Sequence, residues 1–177
     1  KYTGMLEDFP TWYRFTDGQL EIRGYRPDRP RRVQVFDPKS GQVSLHVIDE
    51  KDPGDLKITL EPGAEVTGRL VDEFGEPKAN FMFSDAYGST AETPEYALLP
   101  PNPEQTSGGS TKHHTDKNGR FRIKGLVPGK KYHVYARELR QNSTAVYLGD
   151  FIGEKPLQPG EVRDLGDISI KRAPKTK

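Results

Sequence analysis

Asp116-Lys117-Asn118-Gly119-Arg120-Phe121-Arg122-Ile123-Lys124-Gly125-Leu126-Val127-Pro128-Gly129 is a turn, a strand and a second turn in one short run. Asn-Gly supplies the positive φ that a tight reversal demands, and Pro-Gly joins a fixed φ to a permissive one. Between the turns, apolar and charged residues alternate. Phe121 and Ile123 would enter a core from one face, while Arg120, Arg122 and Lys124 stay in water on the other. A period of two over this length predicts a half-buried β-strand.

Outward from this stretch the same signature recurs. Ala64-Glu65-Val66-Thr67-Gly68-Arg69-Leu70-Val71 places Val66 and Leu70 on one face and Thr67 and Arg69 on the other. Further strands are expected at 19–23, 32–36, 43–48, 56–60, 80–83, 131–137, 144–148 and 167–170. Turn signals such as Asp72-Glu73-Phe74-Gly75-Glu76-Pro77 and Gln158-Pro159-Gly160 separate them. Of the 177 residues, 18 are Gly and 15 are Pro, spread along the chain, and no long window keeps a helical period free of both. Helical bundles are thereby excluded, and an all-β sandwich of many short strands is the expectation.

The low hydrophobic fraction, 32%, fits short alternating strands. With no Cys there are no disulfides, no thiolate metal sites and no Cys nucleophile. Lys and Arg total 27 against 26 for Asp and Glu, so the charge offers no footprint for nucleic-acid binding. No run approaches the roughly 18 apolar residues that cross a bilayer, so membrane insertion within this segment is not expected. The start, Lys1-Tyr2-Thr3-Gly4, has neither an initiator Met nor a signal-peptide pattern, and the expectation is a piece of a longer protein.

An internal repeat organises the chain. Asp17-Gly18-Gln19-Leu20-Glu21-Ile22-Arg23-Gly24-Tyr25-Arg26-Pro27 aligns, about 101 residues on, with Asn118-Gly119-Arg120-Phe121-Arg122-Ile123-Lys124-Gly125-Leu126-Val127-Pro128. A strand follows each copy, Arg32 to Phe36 in the first and Tyr132 to Ala136 in the second. Each copy then closes with a Pro-Gly turn and an alternating strand, 56–60 and 165–170. Residues 61–171 carry a full set of strands, whereas 1–60 carry only the second half. The first copy must therefore draw strands from upstream, from its neighbour or from its own N-terminal segment. Residues 85–112, rich in Ser, Thr, Pro, Gly and Glu, form a long polar loop that is expected to be disordered, and 172–177 are a tail.

Two stretches carry a family resemblance. They are Leu60-Glu61-Pro62-Gly63-Ala64-Glu65-Val66-Thr67-Gly68-Arg69-Leu70-Val71-Asp72, followed by Gly75-Glu76-Pro77, and the run Thr115 to Gly129. In order and combination they resemble the carboxypeptidase regulatory-like family. The match covers about residues 60–171, with 17–60 as a divergent half-repeat and 1–16 and 85–112 outside it. The resemblance implies a small Greek-key sandwich similar to transthyretin, no catalytic residues of its own, and a place in a larger, often extracytoplasmic, bacterial protein.

Asp116 to Gly119 starts like a calcium loop, but the fifth and twelfth positions are Arg120 and Val127, so it reads as a hairpin turn. His113-His114 has no third ligand at metal spacing and reads as a solvated loop pair, while His46 and His133 stand alone on strands. Related sandwiches include intradiol dioxygenases and hydroxyisourate hydrolases. The chain lacks the His-x-His pair of the first and the terminal Tyr-Arg-Gly-Ser motif of the second, and no Gly-x-Ser-x-Gly elbow is present. The arginines at 26, 29, 31 and 32 read as a solvated turn and strand edge. Trp12, Tyr13, Phe15, Tyr87 and Tyr96 could form a sugar-stacking platform, although burial is the better reading of Trp12-Tyr13. Asn142-Ser143-Thr144 is a glycosylation sequon of relevance only in a eukaryotic secretory setting.

The resulting expectation is an all-β Greek-key β-sandwich, transthyretin-like or immunoglobulin-like, with a complete module at 61–171 and a partial one at 1–60. It is expected to be non-catalytic, without cofactor or metal, and extracytoplasmic. Its expected partners are neighbouring domains of the parent protein and another protein or a polysaccharide, with no nucleic acid. The alternatives are a carbohydrate-binding module and an accessory domain that stabilises an attached hydrolase or peptidase.

Overall fold

The stretch that decided the fold becomes the strand Arg120–Leu126, in which Phe121 and Ile123 are buried and Arg120, Arg122 and Lys124 are exposed. A computed structural model describes residues 2–6, 9–15, 18–19, 30–49, 51, 55–85, 95–102, 113–138 and 145–170, with side chains described from residue 18 onward. In chain order its strands are β1 (Tyr2–Leu6), β2 (Phe9–Phe15), β3 (Arg31–Phe36), β4 (Gln42–Ile48), β5 (Glu61–Pro62) and β6 (Ala64–Asp72). They continue with β7 (Phe81–Asp85), β8 (His113–His114), β9 (Arg120–Leu126), β10 (His133–Glu138), β11 (Val146–Asp150) and β12 (Val162–Ile170). No helix occurs among the described residues. The fold is all-β.

Two sheets face one another. One has the order β12-β6-β9 and the other β11-β10-β7-β8. Val66, Leu70, Phe121 and Ile123 from the first meet Phe83, Val134 and Ala136 from the second in a single apolar core. The Phe83 and Phe121 rings lie 4.8 Å apart across it. Burial of each large side chain contributes about 1.5–3 kcal/mol, so the shared core as a whole holds the two sheets together. β6, the opening strand, pairs in parallel with β12, the closing one, and antiparallel with β9. On the solvent face, Arg122 grips Glu65 and Arg69 grips Asp167, each through two hydrogen bonds. The turns work as their residues predict: the Asp116 carboxylate accepts the N–H groups of Asn118 and Arg120, both at 2.8 Å, and Gly119 has a φ of 74°.

The remaining strands form a third sheet, β2-β1-β3-β4-β5. Its first four strands, read β4-β3-β1-β2, repeat the order and antiparallel sense of β11-β10-β7-β8. The strands β1 and β2, outside the family resemblance, thus occupy in this sheet the places that β7 and β8 hold in the four-stranded one. The repeat segment at 20–23 lies outside the described residues.

Residues 56–60 depart from expectation. They alternate in exposure but are not a strand. The closing strand of the second copy pairs with an opening strand, β6, and the first copy has no counterpart of β6 among the described residues. Phe36 and Val43 of the third sheet belong to the core of the sandwich. Phe36 lies against Gly125, whose φ is 78°, and a Cβ at that position would overlap the phenyl ring.

Candidate functional site

β3 is buried along nearly its whole length. Arg32, Gln34 and Phe36 share one of its faces, because side chains two apart on a strand point the same way. Phe36 enters the core, and the two polar residues beside it face the segment Glu95–Pro101 from the long loop. Gln34 holds that segment by its main chain: its Nε2 donates to Leu98 O at 2.8 Å, and its Oε1 accepts from Leu98 N at 3.1 Å. Arg32 donates to Tyr96 O.

Other elements complete the grip. Asp85, at the end of β7, accepts the Leu99 N–H at 2.7 Å, and the His113 ring on β8 is bonded through Nε2 to Pro100 O at 2.8 Å. The Lys131 main chain accepts from Ala97 and donates to Glu95. Ala97, Leu99, Pro100 and Pro101 are buried. The segment is therefore an extended peptide seated in a groove whose walls are β3, β7, β8 and the start of β10. Each hydrogen bond that satisfies a buried main-chain group avoids a desolvation cost of about 1–3 kcal/mol.

Burial perturbs the titratable groups of the groove. Part of the Asp85 side chain reaches the surface, but its carboxyl is enclosed by protein, and this desolvation pushes it up to about 7 against the opposing hydrogen bond from Leu99. Burial takes His113 down to about 4 against the backbone of Pro100 and Arg122, so the ring is neutral and its Nε2 carries the proton given to Pro100. Tyr132 is fully buried and raised, chiefly by desolvation, and its hydroxyl accepts the Val127 N–H at 2.6 Å. Lys130 is lowered by burial and then by the Arg32 charge.

These positions correct three expectations. His113 is buried and bonded rather than a solvated loop residue. Arg32 is buried rather than a solvated edge cation, while the arginines at 26 and 29 lie outside the described residues. Within the loop 85–112, Asp85 is in β7 and Tyr96–Asn102 is packed. The physical reason is that Ala97-Leu98-Leu99-Pro100-Pro101 carries apolar surface that offsets its ordering entropy. That apolar run inside a polar loop was the available signal. Gln34, two residues before Phe36, was the other.

A second cluster lies on the outer face of the four-stranded sheet. The His133 ring contacts Tyr96 at 3.9 Å and Tyr147 at 5.9 Å, and Tyr147 lies 5.1 Å from Tyr135. Successive rings are inclined at 48°, 84° and 49°, so they do not form the flat strip on which a sugar chain would stack. Trp12, Tyr13 and Phe15 lie along β2. Tyr87 and the sequon at 142–144 lie outside the described residues. The Asp116 carboxylate is engaged by main-chain N–H groups, as a hairpin turn requires. Among the described residues, no three or more His, Cys, Asp or Glu stand close enough to hold a metal ion.

No family model matches the chain, and no curated protein matches it. Three solved structures resemble it in outline. The dioxygenase domain of a dioxygenase carbohydrate-binding protein fusion from the cellulolytic bacterium Streptomyces sp. SirexAA-E is 14% identical over 64% of this chain and 82% of that one, with a TM-score of 0.36. Chlorocatechol 1,2-dioxygenase from Pseudomonas putida is 15% identical over 63% of this chain and 61% of its own, with a TM-score of 0.31. The group B streptococcus pilus 2b backbone protein is 18% identical over 90% of this chain and 54% of its own, with a TM-score of 0.33. At these scores the likenesses carry no argument about activity. The functional reading rests on the groove.

Proposed function

We propose that the chain is a non-catalytic structural and interaction β-sandwich module of a larger, extracytoplasmic bacterial protein, of the carboxypeptidase regulatory-like kind. The observation that carries this reading is the use made of the buried polar side chains. Arg32, Gln34, Asp85 and His113 all hold the main chain of Glu95–Pro101, and this clamps the third sheet against the sandwich. Such an arrangement makes a stiff two-part body suited to spacing or presenting neighbouring domains. Among the described residues, no helix is long and apolar enough to cross a membrane.

The test uses the single Trp, Trp12, on β2 at the edge of the third sheet. In urea, the fluorescence of Trp12 and the far-ultraviolet circular dichroism of the whole chain are expected to change in one coincident transition. Two separated transitions would sink the reading of a rigid unit. Polysaccharide binding that Tyr96→Ala abolishes would favour the carbohydrate-binding alternative instead.

A further inference from the structure

Leu56-Lys57-Ile58-Thr59-Leu60 has the pattern of a strand without the bonds of one. Leu56, Ile58 and Leu60 are half-buried while Lys57 and Thr59 are exposed, so the apolar side chains share one side of an alternating segment. Among the described residues, none of its main-chain N–H or C=O groups is hydrogen-bonded. Its apolar side chains neither belong to the core of the sandwich nor pack against it. An extended stretch whose edge and apolar side both lack a partner is what a surface for strand addition offers.

The second repeat shows what such a segment lacks. Its closing strand, β12, follows Pro159-Gly160 as 56–60 follow Pro53-Gly54, and it is held in parallel by β6. With that neighbour in place, Leu165 and Ile168 pack against the core and Ile170 belongs to it. The β6 of this chain does not serve 56–60 as well, because β12 and β9 occupy its two edges. The adjoining β5 reaches β4 only through Glu61 and Pro62.

We propose that residues 56–60 are a docking strand that takes up an extended strand of a partner protein, running in parallel and carrying an apolar residue at every second position as β6 does. The main-chain bonds supply the affinity, and the side chains that meet Leu56, Ile58 and Leu60 supply the choice of partner. The inference deepens the reading of the chain as an interaction module and rests on it. Its failure would leave the coincident unfolding of the chain untouched, so the two readings fail separately.

The probe is a peptide with the sequence of β6, Ala64–Asp72, added to the folded 177-residue chain. It is used at about 1 mM, because association through so few residues is weak. Amide hydrogen exchange, read residue by residue by NMR, is expected to slow about tenfold or more at alternate positions of 56–60, since every second N–H of a strand points to a given neighbour. Exchange in β12 stays as it was. The same peptide carrying Val66→Asp and Leu70→Asp has no effect. The chain variant Ile58→Asp, altered outside the core, keeps its circular dichroism and loses the response. The proposal is overturned if no amide of 56–60 slows, if the two peptides act alike, if β12 responds instead, or if these amides are already slow in the chain alone. Slowing that grows with the concentration of the chain itself would make another molecule of this chain the occupant, and would overturn the partner strand equally.

Discussion

Gly125 shows how one residue joins the two parts of this protein. Its φ of 78° is strained for any residue with a Cβ, and that Cβ would also overlap the Phe36 ring. Gly125→Ala is therefore expected to lose about 3 kcal/mol, the left-handed penalty and the overpacking together, as a lowered urea midpoint. Asp85 and His113 set the dependence on pH. The Asp85 carboxyl rises from an ordinary 3.8 to about 7 in the fold, so its contribution to stability is full below pH 3.8 and is lost as the pH rises through about 7. His113 falls from 6.5 to about 4, so its contribution is present above pH 6.5 and is lost as the pH falls through about 4. The two oppose one another in between. Asp85→Asn keeps an acceptor for Leu99 but never ionises, and its melting temperature should exceed that of the parent at pH 8 and agree with it at pH 4. An equal difference at both pH values would show that this carboxyl does not titrate near neutrality.

At the scale of elements, period-two alternation was enough to place β3, β4, β6, β9, β10 and β11 within a residue or two, because burial on one face of a pleated strand dictates that pattern. It failed at 56–60, where the alternation is present and the partner strand is not: a strand is completed by its neighbour's main chain, which lies elsewhere in the sequence. The Glu95–Pro101 segment is the converse case. It has no period, yet it is ordered because other elements supply its hydrogen bonds. Gln34→Ala removes both partners of Leu98 and is expected to cost about 2 kcal/mol. Amide hydrogen exchange should localise the change: Leu98 gains more in rate than Ala97, whose N–H keeps its bond to Lys131 O. Equal acceleration of the two amides would mean that the segment lifts as one piece.

For the whole molecule, the contribution of Phe36 and Val43 to the core of the sandwich predicts that damage in either part is felt in both. Phe36→Ala should cost about 3–5 kcal/mol through the cavity it leaves, and it should move the Trp12 fluorescence and circular dichroism transitions together. Two of the sheets share a strand order, β4-β3-β1-β2 and β11-β10-β7-β8, while most of the first repeat segment, from residue 20 to residue 27, lies outside the described residues. By itself the sequence determined the all-β class, the turns and the face that each alternating strand buries, since these depend on neighbours within a few residues. Only the tertiary structure decided that 2–6 and 9–15 supply two strands of the third sheet, that Arg32 and His113 are buried, and that part of a polar loop becomes a seated peptide. The physical reason is that a main-chain hydrogen bond or a buried polar group is settled by whichever distant element comes to lie beside it, and the local pattern carries no record of that partner.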